Sequence, residues 1–134
     1  MRGVLHHIDL TVADPAASAG LYGPVLTFMG YWRRREFEWR LTTPLGHTSI
    51  ALNPATGEHA GQPHDRYSPG LHHLAWRAET RDEVNRFHDL LKQIGATILD
   101  EPADYPQYNN GNGYYAVFFA DADGLKLEYA WTPD

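Results

Sequence analysis

The 134-residue sequence contains no cysteine, which excludes disulfides and thiolate metal sites and leaves the fold to depend on its core. Basic residues are scarce: 11 Lys and Arg face 17 Asp and Glu, for a net charge of −6 with histidines neutral. Beyond the short Arg33-Arg34-Arg35 run there is no basic stripe, so a nucleic-acid partner is not expected. No apolar run approaches a membrane span, and the opening MRGVLHHIDLTV lacks the apolar region of a signal peptide. These absences lead us to expect a cytoplasmic protein with no membrane partner. An apolar content of 43%, with 13% aromatics, is enough to build one ordinary core.

Alternation predicts a first strand over Val4–Val12, with Ile8, Leu10 and Val12 on one face and His7, Asp9 and Thr11 on the other. Asp14-Pro15 reads as an N-cap and first helical residue, so a helix should run to about Met29 and close at Gly30. Gly20, Gly23 and Pro24 weaken it and suggest a kink in its second half. Strands are expected over 31–36, 38–43 and 47–53. A polar, Gly- and Pro-containing stretch, 55–69, reads as a linker between modules 1–54 and 70–134 of one domain.

The second half repeats the pattern. Leu71–Ala78 reads as a strand, and Thr80 with Glu83 as a capping box. A helix with apolar positions Val84, Phe87, Leu90, Leu91 and Ile94 should then end at Gly95. Ala96–Leu99, Tyr114–Ala120 and Leu125–Trp131 read as strands, and Asp100–Gly113 as a long loop able to order over a ligand. Leu5-His6-His7 overlies Leu71-His72-His73 at an offset of 66 residues. The fold class expected is therefore α+β: two β-α-β-β-β modules.

His7 and His73 stand at matching points of matching strands, and Glu128 lies in the last strand at the parity that shares their face. Two imidazoles and one carboxylate on rigid strands suit a divalent metal with open coordination positions. For each taken singly, an ordinary polar strand residue is the alternative. By the same parity Arg77 and Lys126 face inward, where they would suit an anionic substrate group; a strand-end arginine and a paired lysine are the alternatives. Of Tyr105, Tyr108, Tyr114 and Tyr115, which bracket the long loop, Tyr114 is the candidate phenol; aromatic packing or a loop anchor is the alternative for each. His6 and His72 are expected to point away from the site, and His59, His64 and His88 toward solvent.

The segments His7–Val12, His73–Ala78 and Phe118–Glu128 together resemble the vicinal oxygen chelate superfamily, which holds glyoxalase I, extradiol dioxygenases, fosfomycin-resistance proteins and bleomycin-binding proteins. The most specific feature is the Asp121-Ala122-Asp123-Gly124 turn followed by Glu128, with Ala122 where the family usually has proline. The resemblance implies a cup-shaped, glyoxalase-like mixed sheet. It also implies metal ligands at His7, His73 and Glu128, with Glu128 the catalytic carboxylate and the ion Fe, Mn, Ni or Zn. Ala51 falls where glyoxalase-like members often carry a fourth ligand; His47 or Ser49 could substitute. The activity implied is that of a metal-dependent lyase or isomerase acting on a small chelating substrate. An extradiol-type dioxygenase, or a drug- or metabolite-binding protein without chemistry, is the alternative. A homodimer is expected, as is common among small members of the family.

Overall fold

The computed structural model describes residues 2–134, which divide into two compact units, one ending at Gln62 and the other beginning at Pro63. The chain order in the first unit is β1 (His7–Val12), α1 (Pro15–Phe28), β2 (Trp32–Arg35), β3 (Glu38–Thr43) and β4 (Gly46–Pro54). The second contains β5 (His73–Arg77), α2 (Arg81–Gln93), β6 (Thr97–Asp104), β7 (Tyr115–Ala120) and β8 (Lys126–Trp131). Each unit holds one four-stranded mixed sheet, ordered β1-β4-β3-β2 and β5-β8-β7-β6. In both, the first strand runs parallel to the last and the remaining pairs are antiparallel. The β-α-β-β-β repeat is thus present in full.

Local chemistry explains where the helices start and stop. Asp14 caps α1 by accepting from the amides of Ala16 and Ala17, and Thr80 caps α2 by accepting from the Glu83 amide. Glu83 in turn reaches back to the amide of Glu79, one residue before the cap, completing a variant of the capping box. Both helices end in the same motif. Gly30 and Gly95 adopt φ of +93° and +71°. The amide pairs Gly30/Tyr31 and Gly95/Ala96 donate to Thr27/Leu26 and Lys92/Leu91 carbonyls, the two bonds of a Schellman cap.

α1 carries no charged residue and runs unbroken through Pro24, so the expected kink does not divide it. Its continuity is a tertiary effect: Ser18, Tyr22, Val25 and Leu26 are buried at helical spacing over the sheet face of Leu10, Val12, Trp39, Ile50 and Leu52. α2 buries Val84, Phe87 and Leu91. The Phe87 ring meets Phe119 and Tyr129 at centroid distances of 5.3 and 4.6 Å. Arg81 at the head of α2 makes a bidentate pair with Asp104 at the end of β6, at 2.6 and 2.9 Å, and holds that carboxyl below its ordinary pKa.

Three expectations need correction. Much of the stretch read as a loop from Asp100 is strand: β6 continues to Asp104 through two register shifts against β7. As an edge strand it tolerates Pro102, whose missing amide no neighbour needs. The remaining turn is tied by Tyr105 N–H to the Tyr114 carbonyl, Tyr108 N–H to the Tyr105 carbonyl and Asn109 Nδ2 to the Gly113 carbonyl. His88 does not simply face solvent, since its Nε2 is buried without a partner. His64 is half-buried and bonds the Leu71 carbonyl at 2.8 Å. No helix among the described residues is long and apolar enough to cross a membrane.

Gly95→Ala forces a side chain into the left-handed region, although its Cβ would meet nothing within 4 Å. Strain alone should therefore lower stability by about 1 kcal/mol, read as a lower urea midpoint with an unchanged slope.

Candidate functional site

The second unit supplies the better-defined constellation. β8 is a central strand, paired on both sides, so its side chains are held at fixed positions. Leu127 and Tyr129 go to the α2 side, while Glu128 faces the other, in register with Ala75 of β5 and Phe118 of β7. That second face is covered over β7 and β8, while Ala75 and Arg77 of β5 are exposed. Ala116, Phe118 and Ala130 are buried there, with Tyr105 and Tyr114 packed against them. Tyr105 stacks on Tyr108 at 5.5 Å and stands edge-on to Phe118 at 5.4 Å.

Glu128 is only 2% exposed and, among the described residues, pairs with a histidine instead of a lysine or arginine. Its Oε2 lies 3.2 Å from His73 Nε2. Its Oε1 accepts from the Tyr114 hydroxyl. Burial, then this bond to a carboxylate, raises the Tyr114 phenol far above its ordinary pKa. Lys126 lies on the same face but sends Nζ over the Phe118 ring, 4.4 Å from its centroid, as a cation–π contact. Arg77 is exposed at the end of β5, where its guanidinium donates to Thr132 Oγ1 at 3.2 Å and to the Asp134 carbonyl. The structure therefore groups His73, Glu128 and Tyr114, places Lys126 nearby and ties Arg77 to residues 132–134.

In the first unit, His7, Asp9 and Thr11 line the sheet face opposite α1 with Ser49, Ala51 and Asn53. His7 is exposed, and its Nε2 lies 3.5 Å from Asp9 Oδ2. Strand register gives Ala51 its counterpart: Ala51 pairs with Asp9 as Glu128 pairs with Ala75, so alanine fills the position that holds the buried carboxylate in the other unit. Besides Asp9, the carboxylate next to Ala51 is Glu38 on β3, also in register with it and a residue the sequence reading passed over. A hydrogen bond from Arg34, with the charges of Arg35 and Arg40, holds it below its ordinary pKa. Of the two substitutes considered for Ala51, Ser49 is buried and bonded by Arg40 Nε at 3.2 Å, while Arg40 chiefly lowers the pKa of the exposed His47. Arg33, Arg34 and Arg35 lie on exposed β2.

His6 and His72 do not point away from the neighbouring histidines. His6 Nδ1 is 2.9 Å from His7 Nδ1, and His72 Nδ1 is 2.8 Å from His73 Nδ1. Alternation failed to anticipate this because β1 begins at His7 and β5 at His73, leaving the preceding residue outside the pleat. Desolvation, then the neighbouring His73, lowers the His72 pKa.

Within neither unit do three His, Asp or Glu side chains form a metal-holding group among the described residues. The donor chemistry of the second unit nevertheless fits a divalent ion: an imidazole nitrogen and a buried carboxylate oxygen face each other, and no Lys or Arg neutralises that carboxylate.

At about pH 10, where an ordinary tyrosine is half ionised, Tyr114→Phe should remove no phenolate absorbance from the spectrum. Loss of half a phenolate there would show that Tyr114 titrates normally.

Comparison with known proteins agrees with this architecture. Across 124 residues the chain is 29% identical to the uncharacterized protein YqjT of Bacillus subtilis (strain 168), covering 92% of this chain and 95% of that one. A solved structure from Bacillus halodurans superposes with a TM-score of 0.71 at 24% identity, covering 97% of this chain and 96% of that one. A glyoxylase/bleomycin resistance protein/dioxygenase domain from Frankia sp. EAN1pec gives 0.68 at 22%, covering 98% of each. At these identities the structural likeness establishes the fold. The sequence profile of one family matches residues 4–129, nearly the whole repeat: the chain belongs to the Glyoxalase/Bleomycin resistance protein/Dioxygenase superfamily.

Proposed function

We propose that the protein is a metal-dependent, glyoxalase-like enzyme of the lyase or isomerase kind, acting on a small substrate that chelates a divalent ion through two neighbouring oxygens. His7, His73 and Glu128 are the proposed ligands. The observation that carries this reading is the buried Glu128 carboxylate facing His73 Nε2. A carboxylate so far from water costs several kcal/mol unless a counter-charge or hydrogen bonds compensate it. A bound divalent ion would supply that charge and Lewis-acid polarisation of the substrate oxygens.

The remaining work falls to the chain itself. The Tyr114 hydroxyl holds Glu128 Oε1, leaving Oε2 as the atom placed to exchange a proton with substrate. Tyr105, Tyr108 and Phe118 form an apolar wall beside it that limits water. Lys126 is the nearer candidate for an anionic substrate group, since Arg77 is engaged elsewhere. The same aromatic wall favours a second reading, a binding protein that holds a flat unsaturated compound without chemistry. An oxygen-uptake screen of the Fe(II)-loaded protein addresses the extradiol alternative.

The purified protein should contain about one divalent ion per chain by elemental analysis, and His73→Ala should lose most of it, since two donors fix an ion's geometry poorly. Equal occupancy in both would overturn the assignment. We further propose a cytoplasmic homodimer, because the edge strands β1 and β2 of the first unit and β5 and β6 of the second offer unpaired backbone groups. Light scattering should give twice the chain mass at micromolar concentration; a monomer throughout would refute it.

A further inference from the structure

The two histidine pairs have the same geometry, 66 residues apart. His6 and His7 place their Nδ1 atoms 2.9 Å apart with rings edge-on, centroids 5.1 Å and planes 84° apart. His72 and His73 do so at 2.8 Å, with centroids 5.0 Å and planes 77° apart. His6 and His72 are exposed, so burial does not press these rings together. A hydrogen bond between the nitrogens accounts for the contact, and its appearance at both strand entrances argues against coincidence.

Two Nδ1 atoms at this distance share one proton, because two lone pairs or two N–H groups would repel. In a neutral imidazole the other nitrogen then has no choice. If His73 carries the proton at Nδ1, its Nε2 keeps a lone pair; if His72 carries it, His73 Nε2 must be an N–H and cannot ligate. The same holds for His6 and His7. The Nε2 atoms of His73 and His7 are those that face Glu128 and Asp9, at 3.2 and 3.5 Å.

Without an ion, the facing carboxylates favour an N–H at these Nε2 atoms. We infer that His6 and His72 are positioning residues: with an ion bound, each accepts, at Nδ1, the Nδ1–H of the histidine that follows it, and so supports His7 and His73 in the tautomer whose Nε2 lone pair binds a divalent ion. The inference rests on the metal reading proposed above and adds two residues to it. Metal-bound histidines usually donate their second N–H to a carboxylate, carbonyl or water; here a neighbouring imidazole takes that part in both units. His47, whose ring lies 5.2 Å from that of His6, completes the local surroundings in the first unit.

Zinc is a diamagnetic probe that permits two independent readouts. In the zinc-loaded, ¹⁵N-histidine-labelled protein, long-range ¹H–¹⁵N spectra should show His7 and His73 protonated at Nδ1, with His6 and His72 protonated at Nε2 and bare at Nδ1. A protonated Nδ1 on His6 or His72 would overturn the inference. By chelator competition, His6→Ala and His72→Ala should each weaken zinc binding by about tenfold. His6→Asn and His72→Asn should recover most of that loss, because an asparagine Oδ1 near the same position also accepts. The asparagine variants and the spectra decide the matter if an alanine variant does not fold. Wild-type zinc affinity in folded His6→Ala and His72→Ala overturns the inference alone. Failure of the wild type to bind zinc overturns the metal reading and this inference with it.

Discussion

The arrangement of the second unit depends on a negative charge kept away from water in the middle of a sheet. Glu128 lies on a strand paired on both sides, so the backbone cannot shift to expose it. Its carboxylate must find compensation where it is. Tyr114 supplies one hydrogen bond and His73 Nε2 faces the other oxygen, where a bound cation would supply the rest, and both positions follow from strand geometry: β8 lies between β5, which begins at His73, and β7, which Tyr114 immediately precedes. The aromatic cover of Tyr105 and Phe118 then lowers the local dielectric, which strengthens each of these contacts and penalises their loss.

The repeat makes the two units comparable residue by residue, and the comparison shows how they differ. Caps, helix ends and the histidine pairs coincide in kind, as expected if both modules solve the same local problem of turning a strand into a helix and back. The faces opposite the helices do not coincide. In the second unit that face is buried and aromatic around one carboxylate. In the first it is polar, with His7, Asp9, Glu38 and Arg40 on neighbouring strands and Glu38 neutralised by arginines. At position 51, the counterpart of Glu128, the first unit has alanine, flanked in register by the carboxylates of Asp9 and Glu38.

Much of this was legible in the sequence because it depends on short-range rules. Period-two alternation in His7–Val12 and capping residues at Asp14, Thr80, Gly30 and Gly95 report local backbone preferences that the tertiary structure keeps. The parity that put Glu128 and His73 on one face held because β5 and β8 are regular. What escaped was non-local. The extension of β6 through Pro102 depends on β7 lying beside it, and its bulges break the alternation by which a strand is recognised. The continuity of α1 through Pro24 comes from burial against a sheet whose strands lie further along the chain. Glu38 stands out only once β3 is set in register against β4. His6 and His72 escaped because alternation was extended one residue beyond the strand.

On the proposed reading, the alanine at position 51 also sets the charge of the centre. Two neutral imidazoles and one carboxylate contribute a single negative charge against a divalent ion, leaving about one positive charge for substrate oxygens to balance. A fourth, carboxylate ligand would cancel that excess and compete with an anionic chelating pair. Neutral histidines are essential to this balance, because a protonated imidazole can neither ligate nor leave the carboxylate free. A contact that holds the proton on Nδ1 of His7 and His73 therefore bears on charge as well as orientation. Exposed imidazoles near His6 and His72 would otherwise exchange tautomers freely, and each exchange would remove a donor from a set that has none to spare.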